Sequence, residues 1–388
     1  MIRRPALSSR LAPFGTTIFT EMTRLAEEHG AVNLAQGFPD FDGPEFAREA
    51  AVEAIRGGLG QYARMAGLPD LVRALSLKYE RDYGLFYDPM AEITVTSGAT
   101  ETLFAAIHGI TEPGDEIVLF EPYYDSYRAS VAMAGAVPRF VALEAPDFRF
   151  GEGALLEACS EKTRAILVNS PHNPTGRVFS REELEAIARV AEERDLYVIT
   201  DEVYEHLVYE GRHIPFATLP GMRERTILIS SFGKTFSLTG WKIGWACAPP
   251  ALSAAVRAAH QFVTFATATP LQKGAAVALS TGPAFYEGLT REYRERRDFL
   301  VGALREIGFD VTAPEGTYFA CARFGAFGFD DDVAFARHLV SKIGVAVIPP
   351  SVFYEHTEKG KGYVRFAFCK KRETLERGID RLRSLTRI

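Results

Sequence analysis

At 388 residues the chain exceeds what one hydrophobic core usually fills, so a large and a small lobe are expected. Hydrophobic residues make up 47% and charged residues 24%, and 50 acidic against 44 basic residues leave a net charge of -6 that argues against nucleic acid or an anionic membrane as partner. Cys159, Cys247, Cys321 and Cys369 are scattered, which suggests neither a zinc knuckle nor a C-x-x-C redox pair, so buried free thiols and no metal are expected.

The opening MIRRPALSSRLAPFG lacks the apolar core of a leader, and no later run approaches the roughly 20 apolar residues of a membrane span, so a cytoplasmic protein is expected. Residues 1–44 read as an N-terminal arm and part of the small domain, the arm irregular because Gly37, Pro39, Gly43 and Pro44 break any regular pattern in AVNLAQGFPDFDGP. Helical spacing begins at Glu45, and a glycine-rich bend, GLGQYARMAGLPD, leads into the helix LVRALSLKYERDYG. Short apolar runs then alternate with helices: EITVTSG, DEIVLFEPYY, AVPRFVAL, TRAILVNSPHNP, DLYVITDEVY, RTILISSFGK and KIGWACAPP. Strands apolar on both faces and separated by helices predict a mostly parallel sheet covered on both sides. This large domain is taken as 45–285. A long charged helix, FYEGLTREYRERRDFLVGALREIG, follows, and the rest of 286–388 alternates like a sheet with one exposed face and helices on the other.

The polar ends of the strands carry the chemistry: SGAT, NSPHNP, TDEVY and SSFGK. In open α/β sheets ligands bind beyond the carboxyl ends of the strands. Lys234 is hard to explain by packing, since it brings an ammonium to the end of a buried strand; an aldehyde partner gives it work. Pyridoxal phosphate needs such a lysine to hold its aldehyde, and a carboxylate against its pyridine nitrogen so that the ring draws electrons. Asp201, ending YVIT, supplies the carboxylate, although alone it reads equally as a cap or turn residue. Asn173, otherwise an Asx-turn residue, and Tyr204 reach the ring's phenolic oxygen. Tyr123 in EPYYDSY is expected to stack on the ring. Gly98, Ala99 and Thr100 stand at a strand-to-helix junction whose free N–H groups favour a phosphate, with Ser231 and Lys242 opposite; alone, SGAT is an ordinary cap.

The run Asn173, Pro174, Thr175, Gly176, then Asp201, Glu202, Val203, Tyr204, then Ser231 and Lys234, and last Gly240, Trp241, Lys242 and Gly244 resembles the fold-type I pyridoxal-phosphate aminotransferases of class I/II. Lys234 falls 33 residues after Asp201, and the likeness extends over essentially the whole chain. It implies a three-layer α/β sandwich with a mostly parallel central sheet and a smaller α+β domain. It implies pyridoxal 5'-phosphate as cofactor, with Lys234, Asp201 and Tyr204 as catalytic residues. Arg365, which pattern alone would leave as a surface arginine on a strand, resembles the receptor of the substrate carboxylate, with Gly37 and Asn173 beside it. Tyr62 resembles the tyrosine that reaches the neighbouring subunit's cofactor phosphate, which implies a homodimer.

Within the family the chain looks most like the branch acting on kynurenine, glutamine, methionine and aromatic amino acids. A site framed by Phe14, Phe38, Phe265 and Phe353 would suit neutral side chains. No second arginine is evident for a distal carboxylate, Arg64 and Arg128 being the remaining possibilities. The rival readings are a cysteine-conjugate or cystathionine β-lyase and an N-succinyl-diaminopimelate aminotransferase. A transcription regulator built on the same domain is disfavoured, because too few residues precede the AVNLAQGF arm for a DNA-binding helix.

Overall fold

A computed structural model describes residues 7–387; the first six residues of the opening stretch, read above for a leader, lie outside them. In chain order the strands are β1 (Val32–Asn33), β2 (Ile93–Thr96), β3 (Glu116–Glu121), β4 (Val137–Ala142), β5 (Thr163–Asn169) and β6 (Tyr197–Asp201). They continue with β7 (Thr226–Ser231), β8 (Gly244–Cys247), β9 (Asp310–Val311), β10 (Phe319–Arg323), β11 (Val345–Ala346) and β12 (Tyr363–Ala367).

Seven strands form one sheet in the order β2-β8-β7-β6-β5-β3-β4. The pairs from β7 to β4 are parallel, and β8 lies antiparallel between β2 and β7. The alternation of side chains explains why both faces must be covered. Ile166, Val168 and Val198 enter one core, whereas Ala165, Leu167, Ile199, Ile227 and Ile229 enter the opposite one. Parallel neighbours need crossovers, and the helices Asp125–Ala134 and Arg181–Glu193 supply two of them. The second is fixed at its start by a reciprocal Ser180–Glu183 capping box.

The small lobe holds an antiparallel sheet, β12-β10-β9, and a parallel pair, β1-β11. The Pro283–Ile307 helix joins the lobes. Phe285 and Tyr286 pack against the large lobe, while Leu300, Val301 and Leu304 enter the small-lobe core.

Two expectations fail here. The arm is not irregular throughout: Thr17 caps a helix, Ile18–Glu28, whose Met22 and Ala26 lie in the small-lobe core, and β1 pairs with β11. The breakers cluster after residue 36, so they say nothing about Met22 and Ala26 at helical spacing. Nor does the small sheet expose a face. Phe319, Ala320, Cys321 and Ala322 are all buried. Ala320 and Ala322 enter the small-lobe core, while Cys321 packs into a large-lobe core and its thiol donates to the Pro174 carbonyl. Three of the four free thiols are buried and Cys159 is half-buried. No helix among the described residues is long and apolar enough to cross a membrane.

Candidate active site

Beyond the carboxyl ends of β5, β6 and β7 lie two adjoining cavities, an inner one of about 170 Å³ and an outer one of about 180 Å³. Tyr124, Asn173, Tyr204, Lys234 and Thr239 line both, so Lys234 stands at their boundary.

Lys234 sits in the one-turn helix Phe232–Thr235 that follows β7. Burial holds its pKa below the ordinary lysine value, and the charges of Lys242 and Arg365 push it further down, against the pull of Cys369 and Asp201. Such an ammonium is disposed to give up its proton and act as an amine. Asp201, buried at the end of β6, accepts a hydrogen bond at 2.6 Å from Tyr127 Oη and a longer one from the Val203 N–H. Burial nevertheless raises its pKa to about 6, opposed by those two bonds and by Lys234. Asn169 ties the neighbourhood together: its amide donates to the Asp201 carbonyl at 2.8 Å, and its carbonyl accepts from the Asn173 N–H at 2.8 Å. Tyr204 meets the Tyr318 ring edge-on at 5.2 Å.

One end of the inner cavity is an anion cradle. The helix Gly98–Ile110 begins there, with Gly98 at φ 78°, and its first N–H groups have no partner within the helix. A Cβ on Gly244 would lie 2.4 Å from the Gly98 carbonyl carbon, so only glycine lets β8 run this close. Ala99, Thr100 and Ser231 line the cradle, and the Lys242 ammonium lies over Gly98.

The outer cavity centres on Arg365 of β12, which is 1% exposed. Its Nη1 donates to Asn173 Oδ1 at 2.9 Å and its Nη2 to the Ala35 carbonyl at 2.8 Å, while among the described residues its Nε has no partner. The guanidinium lies 4.1 Å from the Phe319 ring centre. Gly37 closes the same cavity; its carbonyl accepts from Tyr318 Oη at 2.6 Å, and a Cβ there would strike the Phe319 ring at 2.6 Å. Together the two linings carry three cations, Lys234, Lys242 and Arg365, against one carboxylate, Asp201. A site this unbalanced could accept an anion at each end.

Several expected residues lie elsewhere. Tyr123 does not face the cavity: its ring stacks on Phe140 at 5.5 Å and its N–H donates to the Phe353 carbonyl. Tyr124, the next residue, lines both cavities instead. Phe14 is half-buried beside Arg128 and lines neither cavity. Phe265 is partly exposed and packs on Tyr62, itself 84% exposed, so both stand apart from this chain's cavities. Phe353 is buried behind Phe19 and Arg365, and only Phe38 of the four phenylalanines lines the outer cavity. Arg64 points to the Met90 sulfur, and Arg128 pairs with Glu355 at 3.0 Å. Sequence reasoning missed Tyr127, Asn169, Phe19, Gln36 and Phe319; the tyrosines of EPYYDSY and the polar strand end NSPHNP, which begins at Asn169, were the available signals.

Fold and site together suit an enzyme that works with an aldehyde cofactor, since a buried lysine of lowered pKa stands where the two cavities meet. The sequence model of aminotransferase class I and II matches residues 29–382. The chain is 49% identical over 386 residues to a Mycobacterium tuberculosis protein named a probable N-succinyldiaminopimelate aminotransferase, covering 96% of this chain and 97% of that one. The solved structure of N-succinyldiaminopimelate aminotransferase from that organism superposes with a TM-score of 0.96 over 98% of this chain and 100% of its own. An Escherichia coli methionine aminotransferase is 42% identical, covering 97% of this chain and 98% of its own. A Dictyostelium discoideum kynurenine–oxoglutarate transaminase is 39% identical, with 97% and 96% covered. The chain belongs to the class I and II aminotransferases. Its cofactor is pyridoxal 5'-phosphate, and the residues present fit it: an amine of lowered pKa, a buried carboxylate and a phosphate-sized N–H cradle beneath a lysine.

Proposed function

We propose that this aminotransferase takes its amino group from neutral, sulfur-containing or aromatic amino acids of the glutamine, methionine, phenylalanine and kynurenine type. The carrying observation is the outer cavity, where Arg365 is the sole cation among the described lining residues not shared with the inner one and Phe19, Phe38, Phe319 and Gln36 form much of the remaining wall. Arg365 binds the α-carboxylate with its planar fork, while Asn173 and the Gly37 backbone bound the same corner. Arg128 is held by Glu355, and neither it nor Arg64 lines this chain's cavities, so among the described residues no second arginine of the same chain faces the substrate side chain.

Gly98, Ala99, Thr100, Ser231 and Lys242 would hold the cofactor phosphate, and Asp201 its ring nitrogen. When bound, the cofactor supplies an aldehyde and a ring that takes up electrons from the substrate α-carbon. Lys234 Nζ, at the junction of the two cavities, removes the α-proton, and burial keeps it available as the neutral amine. Tyr127 Oη and the Val203 N–H keep Asp201 oriented and favour its charged form.

A second copy of the chain would cover the exposed apolar face that Leu59, Tyr62, Phe262, Val263 and Phe265 present, and would place Tyr62 at the neighbouring site. The 49% identity to the M. tuberculosis protein supports a second reading, transamination of N-succinyl-diaminopimelate. Single-turnover spectra of the holoenzyme with one amino acid at a time test both. Glutamine, methionine, phenylalanine and kynurenine should convert the cofactor to its amine form faster than aspartate. Fastest conversion by the succinylated donor would establish the second reading, and pyruvate release from cysteine conjugates would mark a lyase.

A further inference from the structure

Glu121 ends β3 with its side chain fully buried, yet its ion-pair partner is His356, whose side chain is 56% exposed. His356 Nδ1 donates to Glu121 Oε1 at 2.6 Å, and the Glu355 N–H donates to Oε2 at 2.7 Å, with the His356 N–H more distant. Two neighbouring contacts reinforce the junction: the Tyr123 N–H donates to the Phe353 carbonyl at 2.8 Å, and Arg128 pairs with Glu355. A strap at 353–356 of the small lobe is thus pinned to the end of β3 in the large lobe. Burying a carboxylate is costly, and packing alone does not require it here.

The position of this junction gives it consequence. On the β3 side, three residues past Glu121, Tyr124 lines both cavities. On the strap side, the Phe353 ring lies 5.7 Å from Phe19, and the Arg365 guanidinium lies 5.8 Å from the Phe353 ring. We propose that Glu121 and His356 are positioning residues for substrate binding: their pair docks the strap so that Phe353 backs Arg365 and Phe19 across the outer cavity from Tyr124, and the docking loosens when His356 loses its proton. This rests on the reading of Arg365 as carboxylate receptor.

The sign follows from the charges around the imidazole. Glu121 raises the His356 pKa above 6.5 through its hydrogen bond and charge; Glu358 on the strap adds to this and Lys359 opposes it. Lys359 is itself paired with Glu144 at 2.5 Å, Arg139 and Glu157 line the shallow surface pocket beside the pair, and Arg128 is engaged by Glu355. A histidine whose folded pKa is raised contributes fully below its ordinary value, and the contribution is lost as pH climbs through the raised one.

The test uses the holoenzyme and 3-phenylpropanoate, a monocarboxylate with no amino group to react. Its dissociation constant is measured from about pH 6 to about pH 9 for wild type, His356→Gln and His356→Lys. Wild-type affinity should fall as pH rises. His356→Gln should bind roughly three- to ten-fold more weakly at low pH and lose the slope, with the change in KM for methionine exceeding that in kcat. His356→Lys should restore tight binding without the slope, which a merely structural role would not produce. If His356→Gln keeps both the wild-type affinity and the wild-type slope, the inference is overturned. If wild-type holoenzyme does not bind 3-phenylpropanoate at all, the carboxylate-receptor reading beneath it falls instead.

Discussion

Replacing Asp201 by asparagine should abolish most turnover and yet stabilise the cofactor-free protein at neutral pH. Burial lifts the Asp201 carboxyl from an ordinary 3.8 to about 6, in spite of the Tyr127 and Val203 hydrogen bonds and the charge of Lys234. A carboxyl whose folded pKa is raised binds its proton more tightly in the folded state. Stability through this group therefore falls as pH climbs from the ordinary value to the raised one, and the loss persists above it. The shift corresponds to on the order of 3 kcal/mol at neutral pH. Asparagine is neutral, nearly the same size, and keeps an oxygen to accept from Tyr127. Urea unfolding of cofactor-free wild type and Asp201→Asn at matched protein concentration measures the difference. The variant midpoint should lie higher near pH 7, and the two should converge below about pH 4. Added cofactor should then stabilise wild type more than the variant, because the ring nitrogen loses its charged partner. A gap that stays constant with pH, or a variant less stable at neutral pH, would refute the claim that Asp201 is held as a costly buried charge.

The paired substitutions Tyr127→Phe and Tyr123→Phe separate the observed site from the expected one. Loss of the Tyr127 bond to a buried carboxylate removes about 1.5–3 kcal/mol, so kcat should drop by roughly ten-fold or more, whereas Tyr123→Phe should stay within about two-fold. Steady-state kinetics at saturating cofactor reads both. Arg365→Lys should raise KM about ten- to hundred-fold for every amino donor, since lysine cannot reproduce the planar fork. A loss confined to one donor would mean that Arg365 reads a side chain.

The legible part of the site is the part carried by strand ends. Val198 and Ile199 are apolar on opposite faces, so the strand is buried and the carboxylate that ends it, Asp201, must have a reason. The same logic finds Lys234 after β7 and Asn173 after β5. It fails at Tyr123, because β3 stops at Glu121 and a turn intervenes before the helix starting at Asp125. Once the period of two is broken, strand alternation no longer says which of two adjacent tyrosines faces inward. That helix also brings Tyr127 beneath Asp201, a contact across 74 residues that no local pattern encodes.

Phenylalanines were the weakest signal, for a related reason. A ring carries no directional chemistry, so Phe14 and Phe265 are as consistent with a cavity wall as Phe19 and Phe319, and only the packed lobes distinguish them. Arg365 shows what such packing adds. Its strand reads as ordinary, but the folded chain brings it to Asn173, 192 residues earlier, and to the Ala35 carbonyl in the arm. None of those partners carries a charge to neutralise it. A buried guanidinium held by neutral acceptors, with its Nε unpaired among the described residues, keeps a charge that the chain itself does not neutralise, which is what the proposed carboxylate receptor requires. The same reasoning applies to Lys242 over the helix start, so the site's unbalanced positive charge suits the proposed phosphate at one end and the proposed carboxylate at the other.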